Sequence, residues 1–341
     1  MKEVSTVGVD LAKRVFQVHG AAADGTVVFR KKLARAQFLA FLAKLPVCTV
    51  AMEACATSHF WGRKIEKLGH AVRLIPPIYV KPFVKRQKND AADAEAIAEA
   101  ASRPTMRFVA VKTEEQQAGA MVFRARDLLV RQRTQVINAL RGHLAEYGIV
   151  AVQGVVHLKR LRAALEAPEV ELPATVRDIA RLYLDQIERC AEKIAELETS
   201  IRSKAAATET AARLQTMPGI GPIGAMAIEA FAPPMRDFRR GRDFAAWLGL
   251  VPRQKSTGGK QILGRTSKMG QRDIRRLLII GAMAVVRAAI RKAPPEGNWL
   301  ARMLARKPRM VVAIALANKM ARGVWAMQTK QENYRDPLAA A

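Results

Sequence analysis

Cysteines, acidic residues and long apolar runs are scarce in this sequence of 341 residues, and each shortage excludes a class of protein. The three cysteines, Cys48, Cys55 and Cys190, are odd in number and widely spaced, which argues against a disulfide framework or a zinc site. The five histidines show no ligand spacing either. No signal peptide is recognisable, and no apolar run approaches the roughly 20 residues that a membrane span needs. We therefore expect a reduced, cytoplasmic protein with no membrane partner.

Basic residues outnumber acidic ones by 57 to 30, which gives a net charge of +27. The excess is uneven along the chain. Residues 1–110 carry 18 basic and 9 acidic residues, 111–206 carry 15 and 13, and 207–341 carry 24 and 8. Such a charge favours a nucleic-acid partner, and so a nucleoid-associated protein, over a generally cationic one. The charge and the patterns below predict an N-terminal domain (1–110), a helical arm (111–206), a C-terminal domain (207–327) and a loose tail (328–341).

The N-terminal domain shows apolar runs and helical patterns in the order β-β-β-α-β-α-β-α. This order predicts a ribonuclease-H-like α/β sheet. Two of the predicted strands end in carboxylates, Asp10 and Glu53. Asp90 and Asp93 are spaced i and i+3 in the first turn of a helix that Asn89 could cap.

These four carboxylates are the predicted catalytic and metal-binding residues. Phosphodiester chemistry commonly uses two divalent ions about 4 Å apart, and Mg²⁺ prefers oxygen ligands. Each carboxylate also has a simpler interpretation, because a first-turn acid is favoured by the helix dipole and a strand can end in solvent. Together, in a basic domain, they favour a magnesium site with two ions.

The arm is predicted to contain two long helices. Residues 113–116 resemble a capping box that opens a helix to about Tyr147. A second helix carries almost four heptads of apolar residues, which predicts a coiled coil packed either on the first helix or on a second copy of the chain. The heptad positions are Val176, Ala180, Tyr183, Ile187, Cys190, Ile194, Leu197 and Ile201.

The C-terminal domain, predicted to be mainly helical, contains a serine in a Gly-rich, Lys-flanked loop. Ser256 lies between Lys255 and Lys260, and residues 236–276 hold twelve Lys or Arg against three acids. Such a loop can hold a phosphate beside a nucleophilic hydroxyl, although the same letters also suit an ordinary turn. Ser267 is the rival hydroxyl. The predicted phosphate-binding cations are Arg253, Lys255, Lys260, Lys268, Arg272, Arg275 and Arg276.

A second Gly-rich segment, 217–224, lies between two helical patterns. It resembles a helix-hairpin-helix element, in which the backbone N–H groups of Gly219 and Gly221 would contact a DNA phosphate. A plain turn between two helices would also use these glycines.

Taken in order, these motifs resemble transposases of the insertion-sequence-110 family, and more closely their 1111-type subgroup. The likeness covers roughly residues 4 to 327. The segments that resemble the family are 8–13, 52–55, 89–94, 218–222, 252–260, 267–270 and 317–322.

The resemblance implies a domain like that of the RuvC junction resolvase, with Asp10, Glu53, Asp90 and Asp93 as an acidic tetrad. It implies that Ser256 attacks DNA; because some relatives have Ser-Gly where this chain has Ser256-Thr257, Thr257 is the alternative nucleophile. It also implies a guide RNA encoded by the element, donor and target DNA, and a homo-oligomer (dimer or tetramer) in which the acidic site of one subunit meets the serine of another. The residues themselves leave open whether the two sites act in cis or in trans. Two alternatives stay open: a junction endonuclease that uses water, and a non-catalytic nucleic-acid-binding protein.

Overall fold

The computed structural model describes residues 3–85, 90–167, 170–292 and 297–335. The chain divides into two compact units, Met1–Glu114 and Glu115–Ala341. The first unit mixes strands and helices, and the second is mainly helical. The predicted class, α/β followed by all-α, is confirmed at this level.

The first unit contains one mixed sheet of five strands in the order β3-β2-β1-β4-β5. The strands are β1 (Thr6–Asp10), β2 (Val15–Ala21), β3 (Val27–Ala34), β4 (Thr49–Glu53) and β5 (Ala71–Ile75). The helices are α1 (Phe38–Leu42), α2 (Ser58–Glu66), α3 (Pro77–Val80) and α4 (Asp90–Ala101). The predicted order of elements is confirmed, with the four-residue α3 added. Asn89, the predicted cap of α4, lies outside the described residues.

Three strands of this sheet are parallel, and their apolar residues are buried. β1 and β5 both pair in parallel with β4, while β2 pairs antiparallel with β1 and β3. Val7, Val9, Val50 and Met52 are fully buried on one face, and Ala51 is fully buried on the other, so both faces of the central strands are covered. The carboxyl ends of β1, β4 and β5 therefore meet at one edge of the sheet.

The second unit contains nine helices and one small hairpin among the described residues. The helices are α5 (Glu114–Ala145, which begins in the first unit), α6 (Leu158–Glu166), α7 (Ala174–Ala206), α8 (Glu209–Gln215), α9 (Pro222–Phe231), α10 (Gly241–Trp247), α11 (Arg272–Arg291), α12 (Trp299–Leu304) and α13 (Arg309–Lys330). Strands β6 (Pro252–Gln254) and β7 (Leu263–Thr266) form the hairpin.

Helices α5 and α7 run antiparallel. Arg126 on α5 pairs with Glu198 on α7, and the His143 ring stacks on Tyr183 with centroids 5.9 Å apart. Part of the predicted heptad seam, including Ala180 and Ile187, is buried against α5 and α6. At these contacts the partner is therefore a helix of the same chain. Supercoiling and pairing with a second copy stay predictions.

The C-terminal helices share one core, to which α5 contributes Ala120 and α7 contributes Ala205. Helix α13 is long and apolar enough to span a membrane by length and composition, so the expectation that no apolar segment approaches this length was wrong. Its Val312, Ala317 and Val324 are fully buried in that core, so we interpret it as a core helix.

The described end of the chain is folded. Residues 328–330, assigned to the tail from the sequence, form the last turn of α13. After them, Gln331 accepts a hydrogen bond from Arg213 at 2.5 Å, and the Tyr334 N–H donates to Thr216 Oγ1 at 2.9 Å.

Candidate active site

Asp10 and Glu53 lie at the ends of two neighbouring parallel strands. Val9 on β1 is in register with Met52 on β4, so the carboxylates that follow are side by side at the edge of the sheet. Both residues are half-buried. The prediction that two apolar strands would end in adjacent carboxylates is therefore correct in its geometry.

Helix α4 covers the sheet face to which both carboxylates belong. Side chains alternate along a strand, so Asp10 shares a face with Gly8, and Glu53 shares one with Ala51. Ala51 is buried in a cluster with Ile97 and other residues of α4. A Cβ added to Gly8 would lie 2.2 Å from the Ala94 carbonyl oxygen and 2.6 Å from the Ala98 nitrogen. Glycine at position 8 thus lets the backbone of α4 pack directly on β1.

This packing brings the first turn of α4 to the acidic edge. Asp93 is four residues before the buried Ile97 and therefore lies on the same face of the helix. Burial raises the pKa of Glu53, and the charges of Asp10 and Asp93 raise it further. Asp90 begins α4, but its side chain lies outside the described part of the chain.

The chemistry of this set suits a divalent cation. Its members offer only carboxylate oxygens, and the repulsion that Glu53 feels from Asp10 and Asp93 is what a bound cation would relieve. Among the described side chains, no group of three is close enough in this geometry to hold one ion. The residues that would hold a metal are Asp10, Glu53 and Asp93, together with Asp90.

Glu95 of α4 serves a different purpose. It accepts from Arg30 on β3 at 2.8 Å and from Lys85 at 2.6 Å. Hydrogen bonding to Lys85 is the main cause of its lowered pKa. These ion pairs connect α4 to β3 and to the segment before the helix. They could not be predicted from the sequence, because Arg30 is 65 residues from Glu95.

Ser256 lies on the exposed hairpin formed by β6 and β7. Its Oγ accepts a hydrogen bond from the Ile262 N–H at 3.3 Å, which fixes the side chain while leaving the hydroxyl proton available. Gly258 and Gly259 form the tip with φ values of 54° and 76°, the pattern of a type I′ turn. The segment is thus an ordinary turn, as the simpler interpretation expected, and it presents Ser256 to solvent.

The rival hydroxyls differ in access. The Ser267 Oγ is buried and has no hydrogen-bond partner among the described residues, and its N–H donates to the Val251 carbonyl at 2.8 Å. Thr257 is exposed, and its N–H donates to the Lys260 carbonyl at 3.3 Å. In this geometry Ser256 and Thr257 can reach a ligand, whereas Ser267 Oγ cannot.

The predicted phosphate-binding cations fall into two groups. The exposed ones are Arg253, Lys255, Lys260, Lys268 and Arg272. Arg275 instead donates to the carbonyls of Leu248 at 2.9 Å and Met269 at 3.2 Å, and Arg276 pairs with Asp127 at 2.5 Å. These two arginines hold the fold together in this geometry, so their assignment to phosphate binding loses support.

The Gly-rich segment 217–224 contains the turn between α8 and α9 and the first residues of α9. A Cβ added to Gly281 on α11 would lie 1.8 Å from the Gly219 carbonyl oxygen, so the turn packs directly on that helix. Gly219 itself has a φ of 91°, and a Cβ there would lie 2.9 Å from the Gly281 carbonyl oxygen, which is a sufficient structural reason for glycine at position 219. Gly221 is exposed and caps α9. A phosphate contact by either glycine stays a prediction.

A mixed sheet with carboxylates at the ends of adjacent strands, covered by a helix that adds a third, is consistent with a nuclease-like domain of the DEDD type. Comparison with known proteins agrees. A DEDD transposase model of the IS110 group matches residues 7–149, and a model described as Transposase IS116/IS110/IS902 family matches 211–295.

Relatives match almost the whole chain. A protein of Pseudomonas aeruginosa named "Probable family 20 transposase" is 48% identical over 97% of this chain and 99% of its own length. The transposases for insertion sequence elements IS1328 of Yersinia enterocolitica and IS1111A of Coxiella burnetii are 43% and 40% identical. These two matches cover 97% and 98% of this chain, and 98% and 92% of the relatives. The chain belongs to the IS110/IS116/IS902 family of transposases, enzymes that cut and rejoin DNA.

Proposed function

We propose that this transposase is an RNA-guided recombinase that exchanges DNA strands through a covalent phosphoserine link on Ser256. The observation that supports it most is the exposed Ser256 hydroxyl, which the Ile262 N–H holds on a hairpin rich in Lys and Arg. A hydroxyl that is held in place, accessible and part of a hairpin rich in Lys and Arg has what a nucleophile toward phosphate needs.

In the first step Ser256 Oγ attacks the scissile phosphorus. A bond forms between Oγ and phosphorus, and the bond from phosphorus to the departing strand oxygen breaks. The serine proton is lost and the departing oxygen gains one, so the strand ends in a free hydroxyl. In the second step the hydroxyl of another strand attacks the phosphoserine and releases Ser256. Each step exchanges one phosphodiester for another, so no external energy source is needed.

The exposed cations of the hairpin serve the same phosphate. Arg253, Lys255 and Lys260 neutralise its charge as the pentacoordinate transition state develops, and Lys268 and Arg272 hold the neighbouring DNA backbone. Because these side chains are exposed and contribute little to the folded core, we expect their substitution to change DNA affinity and reaction rate but not folding.

We assign the metal as Mg²⁺, with two ions held by Asp10, Glu53, Asp90 and Asp93. When bound, the ions supply Lewis-acid stabilisation of charge at the scissile phosphate. The part of this chain's own residues is to hold Asp10, Glu53 and Asp93 at one edge of the sheet, where a bound cation would relieve the repulsion that Asp10 and Asp93 exert on Glu53. We take this unit to have the RuvC-like fold.

The proposed nucleic-acid partners are based on the family resemblance and on the net positive charge of the chain. We propose that a guide RNA encoded by the element selects donor and target DNA, on the basis of the family resemblance and the net charge of +27. We also propose a homo-oligomer in the cytoplasm, at the nucleoid. Two apolar residues on α7, Ile179 and Leu182, are 43% and 58% exposed, which supports self-association through the arm.

The test incubates the protein with its element-derived RNA, end-labelled donor and target DNA, and Mg²⁺. Wild type should give labelled DNA that migrates with protein on a denaturing gel. Ser256→Ala and Asp10→Asn should both lose this adduct, and Ser267→Ala should retain it. Cut DNA without an adduct, unaffected by Ser256→Ala, would identify a nuclease that uses water and would overturn the proposal.

A further inference from the structure

The second unit contains a cleft of ≈ 940 Å³ that includes no residue of the serine hairpin. Its walls come from the start of α10, from α12, and from a face of α13 that includes Lys319, Arg322 and Lys330. The turn at Met217 and Pro218 and residues 332–335 complete it. The cleft is therefore assembled from segments that are far apart in the sequence.

Its lining is strongly basic. Seven Lys or Arg side chains line the cleft against one carboxylate, Glu332. Arg240 pairs with Asp243 at 3.5 Å and Arg335 with Glu332 at 3.8 Å. The other five cations form no ion pair with any described carboxylate: Arg242, Arg302, Lys319, Arg322 and Lys330. A concave surface with charge of one sign concentrates the potential and attracts an anion.

The cleft also contains an aromatic platform. Trp299 is half-buried at the start of α12, where the Asn298 side chain accepts a hydrogen bond from the Leu300 N–H at 2.8 Å. The Lys319 ammonium lies 5.0 Å from the centre of the Trp299 ring. Tyr334 lines the same cleft and is half-buried. A cation over the face of one ring, with further cations nearby, suits a ligand that has both flat apolar faces and negative charge.

We propose that this cleft binds an unpaired, single-stranded segment of nucleic acid. Its base stacks on Trp299 in place of the Lys319 ammonium, and its phosphates contact Arg242, Arg302 and Arg322. Only an unpaired base has a free face for an indole, because bases in a duplex are stacked on each other. The proposal adds a binding site to the proposed function and needs neither Ser256 nor the carboxylates to be catalytic.

Equilibrium binding of short labelled oligonucleotides to the full chain tests the proposed single-strand site. Divalent ions are left out so that the protein does not cleave the probes. The probes are single-stranded RNA, single-stranded DNA and duplex DNA of about eight nucleotides or base pairs, within the range of a single-strand site. Arg242→Ala with Arg322→Ala should weaken single-strand binding and lower its salt slope by about 0.7 per lost phosphate contact. Trp299→Leu should weaken it about tenfold and leave duplex binding unchanged.

Matched controls separate the cleft from general charge. Arg160→Ala with Arg189→Ala removes two exposed arginines from α6 and α7, and it should change single-strand and duplex binding alike and only slightly. Trp299→Phe is a second variant in case the leucine variant misfolds, because it keeps an aromatic ring at this position. Single strands should quench the tryptophan fluorescence of Trp299→Phe less than that of wild type. The stronger of the RNA and DNA probes then identifies the source of the strand.

Two results would overturn the assignment. One is an equal loss of single-strand binding in the Arg160/Arg189 control. The other is a folded Trp299→Leu protein with unchanged single-strand affinity and a Trp299→Phe protein with unchanged quenching. Neither result would touch the serine chemistry, which the adduct assay tests separately.

Discussion

Asp10 and Glu53 end buried strands, and Asp93 stands on a helix packed against them, whereas Ser256 lies on a hairpin whose residues 252–260 are all exposed. The carboxylates are positioned by the same contacts that fold the first unit. The serine depends on a few local hydrogen bonds and on two glycines with positive φ.

This difference follows from what the two groups must do. Carboxylates that share a metal repel each other, so a rigid framework is needed to keep them together before the cation binds. A nucleophile that joins covalently to DNA and is later released needs access, which an exposed hairpin gives. Mutations should therefore affect the acidic site through folding and the serine through local order.

The largest effect is expected from Gly8→Ala. The new Cβ would meet the backbone of α4 at 2.2 Å, and the helix must move away from β1 together with Asp93. Overpacking of this kind costs about 3 kcal/mol or more against a backbone that cannot yield. Urea unfolding, followed by hydrogen exchange of peptides from residues 3–85 and 90–114, measures this loss.

Gly142→Ala is the matched control, because a Cβ at this exposed position of α5 meets nothing within 4 Å. It should stabilise the protein by up to about 1 kcal/mol. A Gly8→Ala protein as stable as wild type, with normal hydrogen exchange in α4, would show that the packing of α4 on Gly8 does not hold the acidic site.

A smaller and more local effect is expected at the tip of the serine hairpin. Replacing Gly258 and Gly259 by Ala places two Cβ atoms at positive φ, at about 1–2 kcal/mol each. Adduct formation should slow about tenfold or more, and the unfolding midpoint should change little, because no residue of 252–266 belongs to the helical core. Gly258→Asn, which gives a favoured Asn-Gly turn, should keep the wild-type rate. An unchanged rate in the double Ala variant would show that the turn is irrelevant.

The smallest effect concerns the pH dependence of stability without divalent ions. The pKa of Glu53 is raised by burial first and by Asp10 and Asp93 second, so the folded state binds more protons than the unfolded state above the unfolded pKa. Stability therefore falls as pH rises from the unfolded toward the folded pKa of this group. Glu53→Gln should remove this decline and stabilise the metal-free protein at neutral pH.

The stabilisation by added Mg²⁺ tests whether Glu53 is a metal ligand. Added Mg²⁺ should stabilise wild type and should stabilise Glu53→Gln much less, because a ligand has been lost. Glu66→Gln, at an exposed position of α2, is the control and should behave as wild type. Thermal unfolding at several pH values gives the measurement, and equal Mg²⁺ stabilisation of all three proteins would argue against a metal at Glu53.

The sequence predicted the acidic edge because its signals are local. An apolar run that stops at Asp10 or Glu53 marks the end of a buried strand, and parallel strand ends meet. The role of Gly8 was not predicted, since it depends on α4 crossing that residue. The strands of the serine hairpin were missed as well, because short exposed strands such as Pro252–Gln254 show no apolar alternation.

Long-range partners explain the other differences. Arg275 and Arg276 look like phosphate ligands in a basic run, but the Leu248 carbonyl and the Asp127 carboxylate that bind them are distant in sequence. The cleft around Trp299 gathers its cations from segments between residues 240 and 335. The sequence signal for this cleft was that Lys319 and Arg322 interrupt the apolar pattern of α13, the helix interpreted as core.

The most direct test of the account is to identify the residue that carries DNA. The adduct from a wild-type reaction would be digested with nuclease and trypsin and sequenced by tandem mass spectrometry. Cleavage after Lys255 and Lys260 releases residues 256–260, so Ser256 and Thr257 fall in one short peptide and fragment ions separate them. The account predicts a nucleotide phosphate on Ser256. A phosphate on Thr257, or on Ser267 in the peptide 266–268, would contradict it.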